Sequence, residues 1–376
     1  MKNYRIILVI MVILLVGCAD QRILEELGFT HTISYDVADE DSYDENKRLK
    51  IALSIPIASD EVKEKREILV TNANSSKEAR TILSSETDRI LVSGQLRNSL
   101  FGEELARKGI WDLIDTLVRD PAVGQNTKIL VVSGEAFELL KKDYKQHPRT
   151  GEYIDRLIDK EVNSQAIPDV TIYHFTRDYF DDGVDPVAPL LKKNGEHLII
   201  DGIALFNSDK YVTSIEPSKA VLFSILTKKF KEGQISVNLT GNGDDDKSDK
   251  EMVMFSSVIS KRKIHAEKSN DESQFKVNIK LTIHGSVLEY IGNKELGDDA
   301  DRDELEKEMA KYIKKETEKM ITDMQEHNVD SIGIGKYVRN SLTFEEWQEL
   351  DWDEVYPKVE VAVDAELKIK DYGKFK

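Results

Sequence analysis

The chain has 376 residues, of which 40% are hydrophobic and 33% are charged. This length and balance predict two or three folded domains and exclude both a disordered chain and a membrane protein with many spans. The 70 acidic and 53 basic side chains give a net charge of −17, which disfavours nucleic acid and argues against a basic patch as the means of attachment to anionic lipid.

The first 18 residues have the pattern of a lipoprotein leader. A short basic segment, 1–5, precedes an apolar run, 6–16, that is about half as long as a transmembrane helix. The run ends at a sequence that resembles the lipobox of lipoprotein signal peptidase: Leu15, Val16, Gly17 and Cys18. We therefore predict a signal peptide over 1–17 and lipidation of Cys18.

Cys18 is the only cysteine of the chain, so an exported protein of this sequence has no internal disulfide. A thioether-linked diacylglyceryl group on Cys18 would supply two acyl chains, and stable attachment to a membrane requires two hydrophobic signals. Cleavage before Cys18 removes Lys2 and Arg5 and leaves the mature chain at about −19. The anchor is therefore the predicted route to the membrane.

Apolar periodicity, helix caps and turn residues predict the elements of the first half in chain order. They are a helix over 20–28, strands on both sides of an acidic turn at 38–46, a Ser-capped helix over 75–87, a strand over 89–93, a helix pair over 102–119, a strand over 128–133, and helices over 134–144 and 151–163. This mixture of strands and helices predicts an N-terminal α/β domain over 18–190.

A break in composition at 181–189 separates this domain from the second half. The predicted elements that follow are a hairpin over 196–215, a helix over 216–229, strands over 235–240, 251–267 and 272–290, a long helix over 303–326, short helices over 332–341 and 344–350, and a strand over 356–370. We assign 191–230 to a small middle domain and 231–376 to a C-terminal α+β domain. There the apolar stripe of the long helix is expected to cover an antiparallel sheet.

No catalytic, cofactor or metal site is predicted. The nucleophile elbow Gly-x-Ser-x-Gly is absent, and the seven histidines have no metal-ligand spacing. Residues 299–303 start like a calcium loop but lack its later Gly and Glu, so an acidic helix N-terminus is the simpler interpretation. The acidic clusters 178–185 and 243–246 are interpreted as solvated turns.

Two further patterns have simple structural interpretations. Gly333 and Gly335 begin a pattern that resembles a phosphate-binding turn, but Val338 stands where the third Gly is needed, so we predict a loop beside a helix start. The three tryptophans have apolar neighbours and are predicted to pack in the core, with an exposed aromatic that binds a partner as the alternative: Trp111, Trp347 and Trp352.

Several segments together resemble the C subunits of spore germinant receptors, the Ger(x)C lipoproteins. The similar segments are 17–28 with its lipobox and Glu-rich helix, 102–110, 131–136, 202–206, and 330–337 followed by Trp347 and Trp352. The sequence departs from the family at Ala19, where a Trp is common at or near this position, and at 333–335, which lacks the family's aromatic residues.

The resemblance implies a three-domain α/β lipoprotein on the outer surface of the spore inner membrane. It implies no catalysis and a role beside an A subunit and a multi-spanning B subunit in nutrient-triggered germination, with the nutrient recognised mainly by the membrane subunit. Docking, assembly or signal coupling is then the expected role, since a tether to the membrane raises the effective concentration of partners.

Two alternatives belong to other classes. A solute-binding lipoprotein would need a cleft between two similar α/β lobes, whereas the pattern changes near residue 230. A surface hydrolase would need convergent residues with shifted pKa values in one pocket, and the sequence selects none.

Overall fold

The computed structural model describes residues 26–38, 48–57, 65–239, 251–269 and 275–373. These residues form an eight-stranded sheet, a four-stranded sheet and a pair of short strands. Among them, no helix is both long enough and apolar enough to cross a membrane.

The eight-stranded sheet and the short pair use the first ten strands. In chain order these are β1 (Leu27–Phe29), β2 (Thr32–Val37), β3 (Leu49–Pro56), β4 (Arg66–Ala73), β5 (Ile90–Val92), β6 (Asn98–Gly102), β7 (Lys128–Val132), β8 (Val187–Asn194), β9 (His197–Asn207) and β10 (Lys210–Ile215). The sheet order is β10-β9-β8-β7-β6-β2-β3-β4, and β1 pairs with β5. The four central strands, β8 to β2, are parallel, and the strands outside them pair antiparallel.

Helices cover both faces of this sheet. They are α1 (Ser76–Leu83), α2 (Glu103–Lys108), α3 (Trp111–Val118), α4 (Ala136–Lys141), α5 (Thr150–Asn163), α6 (Ile172–Phe180) and α7 (Ala220–Thr227). The central strand β7 is apolar throughout its last four residues because it is buried on both sides. Its Ile129 and Val131 join the core under α2, α3 and α6, while Leu130 and Val132 join the core under α4, α5 and α7.

The C-terminal sheet has the order β11-β12-β13-β14. Its strands and the helices around it are β11 (Ile235–Asn238), β12 (Met252–Lys268), β13 (Phe275–Ile291), α8 (Asp299–Glu326), α9 (Ile334–Arg339), α10 (Phe344–Gln348), α11 (Trp352–Val355) and β14 (Glu360–Asp371). The stripe of α8 that includes Leu305, Met309 and Ile313 is buried in the same core as the alternate residues of β13. The mixed α+β fold, with a long helix over the C-terminal sheet, is as the sequence predicts.

Two details of the predicted architecture are wrong. The last strand, β14, pairs parallel with β13, so the C-terminal sheet is not wholly antiparallel. The reason is the connection: α8 carries the chain back along the sheet between the two strands, as parallel neighbours require. Near the start, Leu27 and Gly28 belong to β1 and pair with β5, so the helix predicted over 20–28 does not reach its predicted end. Residues 20–25 lie outside the described residues.

The domain boundaries predicted at 190/191 and 230/231 stay a prediction, and the signal peptide over 1–17 lies outside the described residues. The hairpin of β9 and β10 continues the eight-stranded sheet through its pairing with β8. The structure also adds β4, β6, β8 and α6, which the sequence patterns did not reveal.

Candidate functional site at the junction of the two sheets

The residues predicted to carry the anchor lie outside the described part of the chain: Leu15, Val16, Gly17 and Cys18. Lipidation therefore stays a prediction. Within the described residues, the most strongly buried carboxyl group with a perturbed pKa is that of Asp330, which lies where the loop after α8 meets the start of β8. We take this junction as the candidate site.

The carboxylate of Asp330 organises the loop that leads into α9. Its Oδ1 accepts hydrogen bonds from the backbone N–H groups of Gly333, at 2.9 Å, and Ile334, at 2.8 Å. Its Oδ2 accepts from Gly335 N at 2.7 Å and from the indole Nε1 of Trp352 at 3.3 Å. Four donors thus converge on one buried side chain and hold the helix start and α11 together.

Asp185 connects this loop to the eight-stranded sheet. The backbone N–H of Asp330 donates to Asp185 Oδ2 at 2.7 Å, and the backbone N–H of Asp185 donates to the carbonyl of Asp330 at 3.0 Å. Asp185 Oδ1 accepts from Ser208 N in the turn between β9 and β10, at 3.0 Å. The two aspartates form a reciprocal clamp between segments that are 145 residues apart in the chain.

Glycines allow the two backbones to approach closely at the clamp. Lys336 N donates to the carbonyl of Gly183 at 3.1 Å. A Cβ atom on Gly335 would lie 2.5 Å from Gly183 Cα and 2.7 Å from the Trp352 ring. Gly333 has φ +76 and caps α9, so the predicted loop beside a helix start is confirmed.

Burial dominates the electrostatics of the clamp. It raises the pKa of Asp330 to about 8 and that of Asp185 to about 6, while the backbone N–H donors act in the opposite direction. Burial also raises the pKa of the Tyr356 phenol, and the two aspartates add to the shift. The carboxylate oxygens of Asp330 already accept two hydrogen bonds each, which suits a structural clamp better than proton transfer.

An open groove of about 650 Å³ borders the clamp. Its wall is strongly acidic and includes Asp181, Asp182, Asp185, Glu349, Asp351 and Asp353. Beside it lies a cluster of aromatic rings, which we call the aromatic platform: Trp111 stacks on Tyr179 at 4.0 Å between ring centroids, and Phe180 meets Trp111 edge-on at 4.9 Å. Phe180 is 67% exposed, so the platform presents an aromatic face to solvent next to negative charge.

The crevice at the carboxyl ends of the parallel strands is where open α/β sheets often bind ligands. Here it has a volume of about 620 Å³ and contains Asp36, from the end of β2. The Asp36 carboxylate accepts from Ala136 N at 2.7 Å and Phe137 N at 2.8 Å, and burial raises its pKa to about 6. The Asp36 carboxylate therefore occupies the backbone N–H donors at the start of α4 that a ligand in this crevice would otherwise use.

The other candidate patterns can now be placed. Asp298 caps α8 by accepting from Ala300 N and Asp301 N, which confirms the acidic helix N-terminus in place of a calcium loop. Trp347 is buried and Trp352 is half-buried against Tyr356, while Trp111 is half-buried in the platform. Among the described residues, no three His, Cys, Asp or Glu side chains are placed to hold a metal ion. Residues 243–246 lie outside the described part.

Sequence reasoning did not identify the clamp. It interpreted 178–185 as a solvated turn, and this is wrong for Asp185, which is half-buried and bonded to the Asp330 loop. One signal was present: Asp330 and the glycines after it belong to the segment that carried the family resemblance. Residue types and spacing gave no indication that Asp185 is the partner.

Two family descriptions match the chain almost from end to end. Residues 20–193 match the spore germination protein N-terminal domain, and residues 201–373 match the C-terminal domain described as spore germination B3/GerAC like. The relatives include the spore germination protein GerQC of Bacillus cereus, 26% identical over 373 residues that cover 99% of both chains. They also include YfkR of Bacillus subtilis (strain 168), which its name assigns provisionally to spore germination; it is 22% identical and covers 98% of this chain and 97% of its own.

A solved structure has a similar fold. The crystal structure of the GerBC protein matches with a TM-score of 0.57 and 15% identity, covering 92% of this chain and 99% of that chain. At this identity the likeness shows the fold alone.

Proposed function

Because the chain belongs to the spore germination family of the GerAC type, we propose that it is the lipid-anchored C subunit of a nutrient germinant receptor. In this proposal it has no catalytic role. It assembles with the A and B membrane subunits at the outer face of the spore inner membrane and couples their response to the nutrient.

The observation that carries the proposal is the extent of the match. The two family descriptions cover 20–193 and 201–373, so both halves of the chain have counterparts in spore germination proteins. A protein that shared only one domain with this family would match the family descriptions over one half of its length.

The proposed anchor fits the order of the chain. Cys18 lies nine residues before Leu27, where the first described strand begins. Nine residues of any conformation reach at most roughly 30 Å. A lipidated Cys18 would therefore keep the folded part close to the bilayer surface, where weak contacts with membrane subunits are favoured.

The proposed partner surface is the aromatic platform with the acidic groove beside it. Exposed aromatic rings are enriched at the centres of interfaces, and rims of one charge select partners of the opposite charge. The occupant that fits is a segment of a membrane subunit that carries Lys or Arg beside apolar residues. The alternatives of a solute-binding lipoprotein or surface hydrolase gain no specific support from these residues.

The anchor is tested by Cys18→Ala in the full chain. We expect this variant to lose lipid labelling and its spores to germinate slowly with nutrients, because the folded part is no longer held at the inner membrane. The readouts are metabolic labelling with a fatty acid and loss of spore refractility, with Ala19→Ser as the control that keeps the cysteine. Normal labelling and normal germination of Cys18→Ala would contradict the proposal.

The receptor role is tested by deleting the gene and exposing the spores to amino acids, sugars and nucleosides. We expect the response to one nutrient class to disappear while germination by non-nutrient agents persists. An unchanged response to every nutrient, in a strain that lacks its other genes of this family, would reject the role.

A further inference from the structure

A second pocket, of about 700 Å³, has the opposite charge to the rest of the chain. We call it the basic pocket; its charged lining residues are Lys65, Arg149, Arg156, Lys160 and Glu152. Four cations and one carboxylate give it a formal charge of +3 within a chain of −17. Such a local reversal of sign favours an anionic ligand.

The cations of the pocket come from different elements. Arg156 and Lys160 lie one turn apart on α5, with 77% and 67% of their side chains exposed. Lys160 pairs with Glu161 at 2.6 Å, a carboxylate outside the lining of the pocket. Arg149 precedes α5 and donates to the carbonyl of Ile57 at 3.4 Å. Glu152 pairs with both Arg156 and Arg149, so one carboxylate is shared by two guanidinium groups.

The remaining wall is aromatic and holds further donors. The ring of His147 stacks on Tyr153 with centroids 3.9 Å apart, and the hydroxyl of Tyr153 accepts from Leu198 N at 3.3 Å. His197 completes the lining beside Leu198. An anionic group that enters the pocket would thus meet guanidinium and ammonium groups together with imidazole rings, which suits a phosphate.

The pocket lies near the start of the described part of the chain. Gly28, in β1, packs against Ile55, since a Cβ atom there would lie 3.5 Å from Ile55 Cδ1. Two residues further along, Ile57 N donates to the carbonyl of Lys65 at 2.9 Å, and the Ile57 carbonyl accepts from Arg149. The start of the fold and the wall of the pocket are therefore connected by a few adjacent contacts.

We propose that the basic pocket binds the phosphate of an anionic phospholipid headgroup in the membrane that carries the anchor. The inference rests on the proposed lipidation of Cys18, which brings this end of the fold to the bilayer. The acidic remainder of the chain is repelled by an anionic surface, whereas the pocket is attracted to it. The two effects together orient the molecule, with α5 toward the lipid.

The test uses the full lipidated chain in vesicles of phosphatidylcholine, with or without phosphatidylglycerol, and measures hydrogen exchange of the backbone over 146–160. We expect slower exchange with phosphatidylglycerol. Arg156→Glu combined with Lys160→Glu should abolish the difference, because losing two cations alone weakens binding to an anionic surface roughly thirtyfold and the two new carboxylates are repelled by it. Arg119→Glu is the matched control for Arg156→Glu alone, since Arg119 is also 77% exposed and pairs with a carboxylate four residues earlier.

Three outcomes overturn the inference. Equal exchange in both kinds of vesicle, for a wild-type chain that floats with them, rejects the headgroup site and leaves the anchor intact. Equal protection by millimolar inorganic phosphate in phosphatidylcholine vesicles rejects the lipid as the source of the phosphate. A chain that floats with neither vesicle rejects the proposed anchor and, with it, this inference.

Discussion

At the scale of single residues, the Asp330 carboxylate is the most densely bonded group at the junction, and its replacement tests the clamp directly. Asp330→Asn keeps the size of the side chain but leaves one oxygen for four donors, because an amide NH₂ cannot accept, whereas both oxygens of a carboxyl group can accept even when it is protonated. Two buried donors lose their acceptor, and we expect a loss of about 1–3 kcal/mol in the free energy of unfolding at pH 6. Urea unfolding followed by tryptophan fluorescence measures the loss.

The stabilities of the wild type and of Asp330→Asn should depend differently on pH. The pKa of Asp330 is near 3.8 when unfolded and about 8 when folded, so the folded chain holds a proton that the unfolded chain releases. This contribution to stability is complete below pH 3.8 and disappears as the pH rises through 8. Between pH 6 and pH 8 the free energy of unfolding of the wild type should fall by about 2 kcal/mol, and that of Asp330→Asn should not show this fall. A stability difference that stays constant over this range would contradict the raised pKa.

Gly335→Ala tests the close approach of the backbones. In an isolated helix Ala is more stable than Gly by about 1 kcal/mol. Here the new Cβ would lie 2.5 Å from Gly183 Cα, an atom that cannot rotate away. We expect the cost of overpacking to outweigh the gain in helix propensity, so that the free energy of unfolding falls by about 1–3 kcal/mol. Gly124→Ala, where no atom lies within 4 Å of the added Cβ, should be near neutral.

The residues also show where sequence reasoning reaches its limit. The Ser75 cap of α1 was recognisable because a cap acts on N–H groups two or three residues away. Asp185 and Asp330 were not, because a pair separated by 145 residues depends on how two sheets dock, which no local pattern encodes. An acidic turn and a buried clamp have the same residue types.

At the scale of elements, strong periodicity gave correct predictions and weak periodicity did not. The alternation in β12 and β13 and the stripe of α8 were predicted because each has one buried and one exposed face. The strand β6 was missed because all five of its residues are buried, so its sequence has no alternation. The parallel direction of β14 was missed because strand direction depends on the crossover rather than on the strand.

The free edge of β14 has a specific protection that can be removed. Ile369 N donates to Glu306 Oε1 at 2.8 Å, and Val363 N donates to Glu318 Oε1 at 3.3 Å. Twelve residues of helix span about 18 Å and six residues of strand about 20 Å, so the two spacings match. Carboxylates of α8 thus take donors that an edge strand would otherwise offer to another chain.

Glu306→Ala should therefore have two effects. Loss of the acceptor for Ile369 N should lower the free energy of unfolding by about 1–3 kcal/mol. The uncovered edge should also promote pairing between copies, seen as a concentration-dependent rise in mass by light scattering. Glu304→Ala, an exposed change on the same helix, is the control. A variant that stays monomeric at every concentration would show that the rest of α8 protects the edge without Glu306.

At the scale of the whole molecule, the two large sheets share one continuous core. This core includes Leu130 from β7, Phe223 from α7 and Leu367 from β14. Phe230, at the predicted boundary, is fully buried and its carbonyl accepts from Ser260 N in β12. The change of sequence pattern near residue 230 therefore marks a change of sheet and no gap in the packing. The Asp185 and Asp330 clamp adds a polar connection between the same two parts.

The shared core and the clamp join the two sheets, and the aromatic platform borders the acidic groove through Tyr179, so the two form one continuous surface. Phe180→Ser removes the most exposed ring of the platform. It should change stability by less than about 0.5 kcal/mol, because the ring is mostly in water. If a membrane subunit docks there, capture of that subunit from detergent-solubilised spore membranes should fall on the order of tenfold.

Leu288→Ser is the matched control for this prediction, since Leu288 is 65% exposed and lies on β13 of the other sheet. Capture by the control should equal that of the wild type. The acidic wall of the groove adds a second expectation: capture by the wild type should weaken as salt is raised, because exposed charges more than about 10 Å apart are screened at 0.1 M salt. Equal capture by Phe180→Ser and Leu288→Ser would remove the platform from the interface. If both variants captured the subunit equally and capture still weakened with salt, the basic segment of the partner would bind the acidic groove without the platform.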